Sequence, residues 1–191
     1  FLGEGDSGVF SVVLQVTDLV YLIPTTLGLI LFPKVSMNQN DNGELTAKVF
    51  RFSVLAIGML LIVLSIFAES GIRILFGEQF VGAVTPLYVL APGLLALSLV
   101  TILNNDLAGR GLPPVVILAP AVGLAINVAT TLLFMKTLGI VASALALSAS
   151  YVGMLVILYL YFVRISKLSF GKMFLFTMAD LRSIRLKESH S

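Results

Sequence analysis

One carboxylate stands apart among the few side chains in this sequence whose types could do chemistry. Asp18 sits in an apolar stretch, with Val20 and Leu22 just beyond it, and Ser11, Gln15, Asp18 and Thr25 recur at spacings of 4, 3 and 7. Those steps place the four residues on one face of a helix. An ionisable group at membrane depth costs several kcal/mol unless it faces water or a partner. The face therefore reads either as the wall of a water-filled cavity or as a set of interhelical hydrogen bonds. As a cavity wall, Asp18 could couple transport to H+ or Na+; as a bundle contact, it is protonated and donates a hydrogen bond. Catalytic chemistry has little to work with. Cysteine is absent, and the only histidine is His190, next to the C-terminus. That excludes thiol catalysis, His-based triads and HExxH zinc sites. No nucleophile–base pair, paired-carboxylate site or metal cluster is spaced in any apolar stretch. The reading is a chain that is not an enzyme and has no resident cofactor or metal.

The elements that must position these residues follow from composition. The chain has 191 residues, 58% hydrophobic and 12% charged, with a mean hydropathy of +1.05. Soluble domains carry about 25% charged residues. This composition excludes a soluble globular domain, a disordered tail and a nucleic-acid-binding module, and specifies an integral membrane protein. A bilayer core of about 30 Å needs roughly 20 apolar residues in a helix. Five segments qualify: 9–32, 49–68, 84–103, 114–135 and 140–163. No stretch alternates apolar and polar residues as a barrel strand does, so the fold class is all-α. The connections carry turn chemistry, such as Asn40 to Gly43, where Asp41 and the nearby Glu44 read as solvated. The link around Lys136 to Gly139 is so short that the last two spans must form a tight antiparallel hairpin.

Charge sets the orientation. Five spans put Lys34, Lys48, Arg51, Arg110, Arg164, Lys167, Lys172, Arg182, Arg185 and Lys187 on one side, and only Arg73 and Lys136 on the other. The second side also carries Glu4, Asp6, Glu69 and Glu78. By the positive-inside rule the C-terminus is cytoplasmic and Phe1 lies outside. The start has no basic n-region and no cleavage site, so it reads as an internal point of a longer protein, with earlier spans upstream. Residues 169–191 interleave Phe170, Met173, Phe174, Leu181 and Ile184 with basic side chains. They read as an amphipathic cytoplasmic tail on the inner leaflet, or as a solvated one.

Other polar and small residues have structural expectations. Pro24, Pro86 and Pro92 are candidate hinges or kinks, with Thr25 and Thr26 placed to resatisfy a carbonyl freed by Pro24. Asn104, Asn105, Asp106 and Arg110 follow the third span, where they would cap it and anchor a loop at headgroup level, or form a cytoplasmic gate. Pro120, Gly123, Asn127 and Thr131 form one stripe, and Ala142, Ala146, Ser150 and Gly153 another. The second is small-xxx-small packing, and Asn127 is a candidate for an interhelical hydrogen bond or for the cavity lining.

Several of these stretches together resemble a known family. Gly8 to Leu14 followed by Leu31 to Ser36 resembles the "GxYS…LFPxxS" span of bacterial polysaccharide flippases, with Phe10 in place of the tyrosine. Ile74 to Phe80 is similar to their "LFGxxF" loop, which leads into a span like Ala83 to Leu90. Ala108 to Gly111 resembles the turn after the next span. Ala125 to Val128 with Leu138 to Ala146 resembles the family's "N…GxxGAAxA" hairpin. The family is the polysaccharide transporter branch, O-antigen flippases included, of the MATE-like MOP superfamily. The resemblance implies part of the C-terminal lobe of a transporter with about 12–14 helices in two lobes. It also implies a bacterial cytoplasmic membrane, a lipid-linked oligosaccharide flipped by alternating access, and a missing N-terminal lobe as partner alongside the bilayer. A MATE-type multidrug or cation antiporter is the alternative within transport; a membrane-embedded transferase or a structural membrane protein is the alternative outside it.

Overall fold

The computed structural model describes residues 4–37 and 43–166. Among them the chain is all-helical. Five helices run α1 (Glu4–Met37), α2 (Glu44–Leu75), α3 (Val84–Gly109), α4 (Val115–Leu138) and α5 (Ile140–Ser166), with a 3-10 turn (Glu78–Ala83) before α3. Each is long and apolar enough to cross a membrane, so the protein is a multi-pass membrane protein. The proposed tail, residues 169–191, lies outside the described residues.

The apolar segments mark the spans, but the helices run past them. α1 extends through Pro33 to Met37, and α2 starts five residues before the apolar segment and ends seven after it. Polar residues at headgroup level still have to satisfy their backbone groups, and continuing the helix does this at no cost in exposed peptide. The stretch after Gly77, read as an external loop, is the 3-10 turn.

α3 is the centre of the bundle. In its most apolar window 67% of residues are buried, against 28% or less in each of the other four helices. α1, α2 and α5 pack on α3, while α4 packs almost wholly on α5. Two core clusters follow from this. One gathers Phe50, Leu103, Leu107 and Phe162; the other gathers Val13, Ile57, Leu87 and Leu90. In lipid, close approach of backbones replaces the hydrophobic effect as the drive for packing. At Gly93 an added Cβ would sit 2.5 Å from Cα of Ser148, so α3 and α5 nearly touch. Along α5, Ala142, Ala144, Ala146, Ser148 and Ser150 are all buried, because this helix is covered by α3 on one flank and α4 on the other. The expected hairpin of α4 and α5 is present, turning on Gly139 at a φ of 53°.

Candidate functional site

The face expected to carry chemistry lies on the outside of the described bundle. Ser11, Gln15 and Asp18 are exposed on α1, and Thr25 is half-buried. Behind them Val12, Val13, Thr17 and Val20 are buried against the rest of the bundle. The carboxylate of Asp18 makes no hydrogen bond or ion pair to another described residue. Asp18 is about 21 Å of helix from Glu4 and about 28 Å from Met37, at 1.5 Å per residue, and so lies well inside the candidate span. The Ser11 hydroxyl is turned inward along its own helix, donating to the Ser7 carbonyl at 2.9 Å.

Two tyrosines missed from sequence frame this face. Tyr21, one turn beyond Asp18, lies 3.0 Å from the Thr101 hydroxyl on α3, and that hydroxyl also bonds the Leu97 carbonyl at 2.9 Å. Tyr151 on α5 is within electrostatic range of both Tyr21 and Asp18. A signal for this was present. Asp18 and Tyr21 are three residues apart, and Ser98, Thr101 and Asn105 repeat at 3 and 4 on α3, which is a polar stripe on an apolar helix. Asn105 closes the stripe by packing over Gly28, so that α3 meets α1 at a point without a side chain.

The prolines do not interrupt the helices. α1 continues unbroken through Pro24, and the hydroxyls of Thr25 and Thr26 do not reach the carbonyl of Val20, four residues before the proline. They donate instead to Tyr21 and Leu22, at 2.8 to 2.9 Å. α3 is likewise one unbroken helix. Pro86 lies in the first turn of α3, just after the 3-10 turn. Pro92 is the one proline inside α3.

Asn104, Asn105, Asp106 and Arg110 close the third span, but the helix includes the first three of them. α3 runs on through Gly109, Arg110 is its C-cap, and Asp106 is 0% exposed. The Asp106 carboxylate accepts from Arg110 Nε at 2.8 Å and Nη2 at 3.2 Å, one turn away on the same helix. It also accepts from the Thr46 hydroxyl of α2 at 2.5 Å. Thr46 is fully buried in the first turn of α2, whose N-cap, Gly43, supplies no side-chain bond. An anion beside this N-terminus meets unpaired N–H groups and the positive end of the helix dipole. Asp106 thus ties the end of α3 to the first turn of α2 through the Thr46 hydroxyl. Just beyond, an added Cβ at Gly109 would lie 3.0 Å from the Phe32 carbonyl, so the end of α3 joins α1 as well as α2. Sequence reasoning missed Thr46 because it lay in the presumed loop.

On α4, Gly123 is buried against Met154 and Asn127 is half-exposed. The interhelical hydrogen bond expected of Asn127 is not made to any described residue. Gly153 on α5 packs against Ile126 of α4, completing the small-residue contact. Arg51 is buried inside the bundle, whereas Lys34 is exposed and Lys48 half-buried toward the same end. Compared with protein-family models, with curated proteins and with solved structures, the chain matches none.

Proposed function

We propose that this chain is part of the C-terminal lobe of a polysaccharide flippase of the MATE-like MOP superfamily, moving a lipid-linked oligosaccharide across a bacterial cytoplasmic membrane by alternating access. The observation that carries the reading is the outward polar face of α1. A carboxylate well inside a candidate membrane span, exposed together with Gln15 and without a hydrogen bond or ion pair among the described residues, cannot be left against hydrocarbon. It needs water or further protein, and a transport cavity between two lobes supplies both. The N-terminal lobe that the resemblance implies would form the opposite wall. The ordered motifs from Gly8 to Ala146 support the same family, and the lysine and arginine bias supports a cytoplasmic C-terminus.

The test uses the full-length protein in a flippase-null strain. Asp18→Asn is expected to cut glycan export and flatten its pH dependence. Export and pH profile both unchanged in Asp18→Asn would remove the coupling role. Export unchanged in Asp18→Leu as well would remove the cavity wall. Loss of cation-driven drug efflux, with glycan export intact, would instead favour the antiporter reading. Residues 1–191 alone are expected to restore no export, because one wall cannot enclose a cavity.

A further inference from the structure

The face that carries Asp18 holds bonding groups but no positive charge. Gln15 and Asp18 are exposed on α1, and their side chains bond to none of the described residues. Tyr21 follows one turn on, with its hydroxyl 3.0 Å from that of Thr101 on α3. A phenol both donates and accepts, so this contact leaves it capacity for a second partner. Tyr151 of α5, half-buried, lies within electrostatic range of both Asp18 and Tyr21. From Gln15 to Tyr21 is about 9 Å of helix at 1.5 Å per residue. The three helices that build this face are nearly without cations. α3 contains no lysine or arginine, and the only ones in α1 and α5 are Lys34 and Arg164, in their last turns. Lys34 is about 24 Å of helix from Asp18. Arg110, at the C-cap of α3, is engaged by Asp106, and Arg51 of α2 is buried inside the bundle.

A lipid-linked oligosaccharide has two chemically distinct halves, and this face suits only one of them. The pyrophosphate is an anion. Beside Asp18 it meets a like charge, or a neutral acid when the carboxyl is protonated, and in neither state a cation to offset its own. The glycan presents hydroxyls, each a donor and an acceptor, which pair with a carboxylate, an amide and phenols and need no counter-charge. The apolar side of a sugar ring also packs on a tyrosine ring, whose hydroxyl stays able to bond. An organic cation would use the carboxylate of Asp18, but the amide N–H groups of Gln15 and the phenol O–H groups would have nothing to donate to. We propose that Gln15, Asp18 and Tyr21 of α1, with Tyr151 of α5, form the glycan subsite of the cargo path, and that the pyrophosphate is held by cations elsewhere in the full-length protein. This subsite presupposes the flippase reading and divides its cargo between two walls of the cavity.

The test places the photocrosslinking amino acid p-benzoylphenylalanine at Gln15 of the full-length protein, in cells whose glycan export depends on that protein. Gln15 is exposed, so the larger side chain needs no room inside the bundle. A control carries the same group at Leu132 of α4, which is 75% exposed. After illumination the protein is digested, and the adducts are analysed by mass spectrometry before and after mild acid, which cleaves the bond between sugar and pyrophosphate. The portion that stays on the peptide reports which half of the cargo touched the face. The peptide around Gln15 is expected to keep sugar and lose the polyprenyl pyrophosphate, and the Leu132 peptide to carry no sugar. Asp18→Leu, which removes a charged hydrogen-bond acceptor, should lower the yield of the sugar adduct about tenfold. The protein with Asp18 intact decides the test whether or not Asp18→Leu folds. A Gln15 peptide that keeps the polyprenyl pyrophosphate and loses the sugar overturns the subsite while leaving the flippase reading in place. So does an adduct only to phospholipid, to another protein segment or to a cellular cation, or no adduct at all. Export that continues without the protein refutes the flippase reading itself, and the subsite with it.

Discussion

Removing the Asp106 carboxylate should be among the most damaging single changes in the protein. Asp106 is 0% exposed and its partner Arg110 only 15%, so neither charge is screened by solvent. The carboxylate accepts from Thr46 and twice from Arg110. Asp106→Asn leaves the guanidinium buried without its counter-charge, a change that costs about 3–5 kcal/mol. At 1.36 kcal/mol per decade, 3 kcal/mol is about a 150-fold loss in the folding equilibrium. Thr46→Val removes one hydrogen bond to a charged group, about 1.5–3 kcal/mol. The surface pair of Arg73 with Glu69 is the internal comparison. Its side chains are 50% and 60% exposed, and Glu69→Gln should cost under about 1 kcal/mol. Reversible unfolding of the full-length protein in mixed micelles would measure all three. A double-mutant cycle of Asp106→Ala with Thr46→Val should show coupling of about 1 kcal/mol or more, since each substitution removes the same bond. If Asp106→Asn cost no more than Glu69→Gln, or if the cycle were additive, Asp106 would not be the buried junction described above.

Glycine substitutions should separate contact from free space. Gly93→Ala meets the Ser148 backbone and should cost about 1–3 kcal/mol, whereas Gly123→Ala presses closely on the flexible Met154 side chain alone, with the Ser150 carbonyl at ordinary contact distance, and should cost less. Gly58→Ala meets nothing and should stabilise α2 by up to about 1 kcal/mol, the helix-propensity gain over glycine. The same unfolding assay ranks the three, and Gly93→Ala at or below Gly58→Ala would contradict the packing of α3 on α5. Thr101→Val breaks the contact with Tyr21 and should cost about 0.6 kcal/mol, typical of hydrogen bonds within membranes. A loss above about 3 kcal/mol by the same measurement would mean that the α1–α3 seam depends on this one bond.

What the sequence makes legible is whatever depends on one helix at a time. Apolar length locates all five spans, and the short link at Gly139 dictates the last hairpin. The 11, 15, 18 spacing puts Ser11, Gln15 and Asp18 on one exposed face. What it hides depends on two helices at once. Asn104 to Asp106 end an apolar run, so they read as a loop; only the arrival of Thr46 from α2 allows the helix to continue with its carboxylate buried. Sequence also does not show the 3-10 turn that leads into α3 and leaves Pro86 in the first turn of that helix. Tyr21 and Thr101 are ordinary residues until the crossing of α1 and α3 brings them to 3.0 Å.

The two carboxylates of this region therefore have opposite physical solutions. Asp106 lies where sequence expects solvent, yet it is buried and satisfied by Arg110 and Thr46. Asp18 lies where sequence expects hydrocarbon, yet it faces outward and is bonded to none of the described residues. A buried carboxylate with three bonds is fixed in place, and changing it should damage folding first. An exposed, unbonded carboxylate contributes little to the fold of this bundle, and its cost at membrane depth is tolerable only if another surface or water meets it. Asp18→Asn should therefore leave unfolding within about 0.5 kcal/mol of wild type while altering transport. Asp106→Asn should lower folded protein and transport in parallel. A stability loss at Asp18 comparable to that at Asp106 would place Asp18 in a structural contact and take away the main support for a cavity on that face.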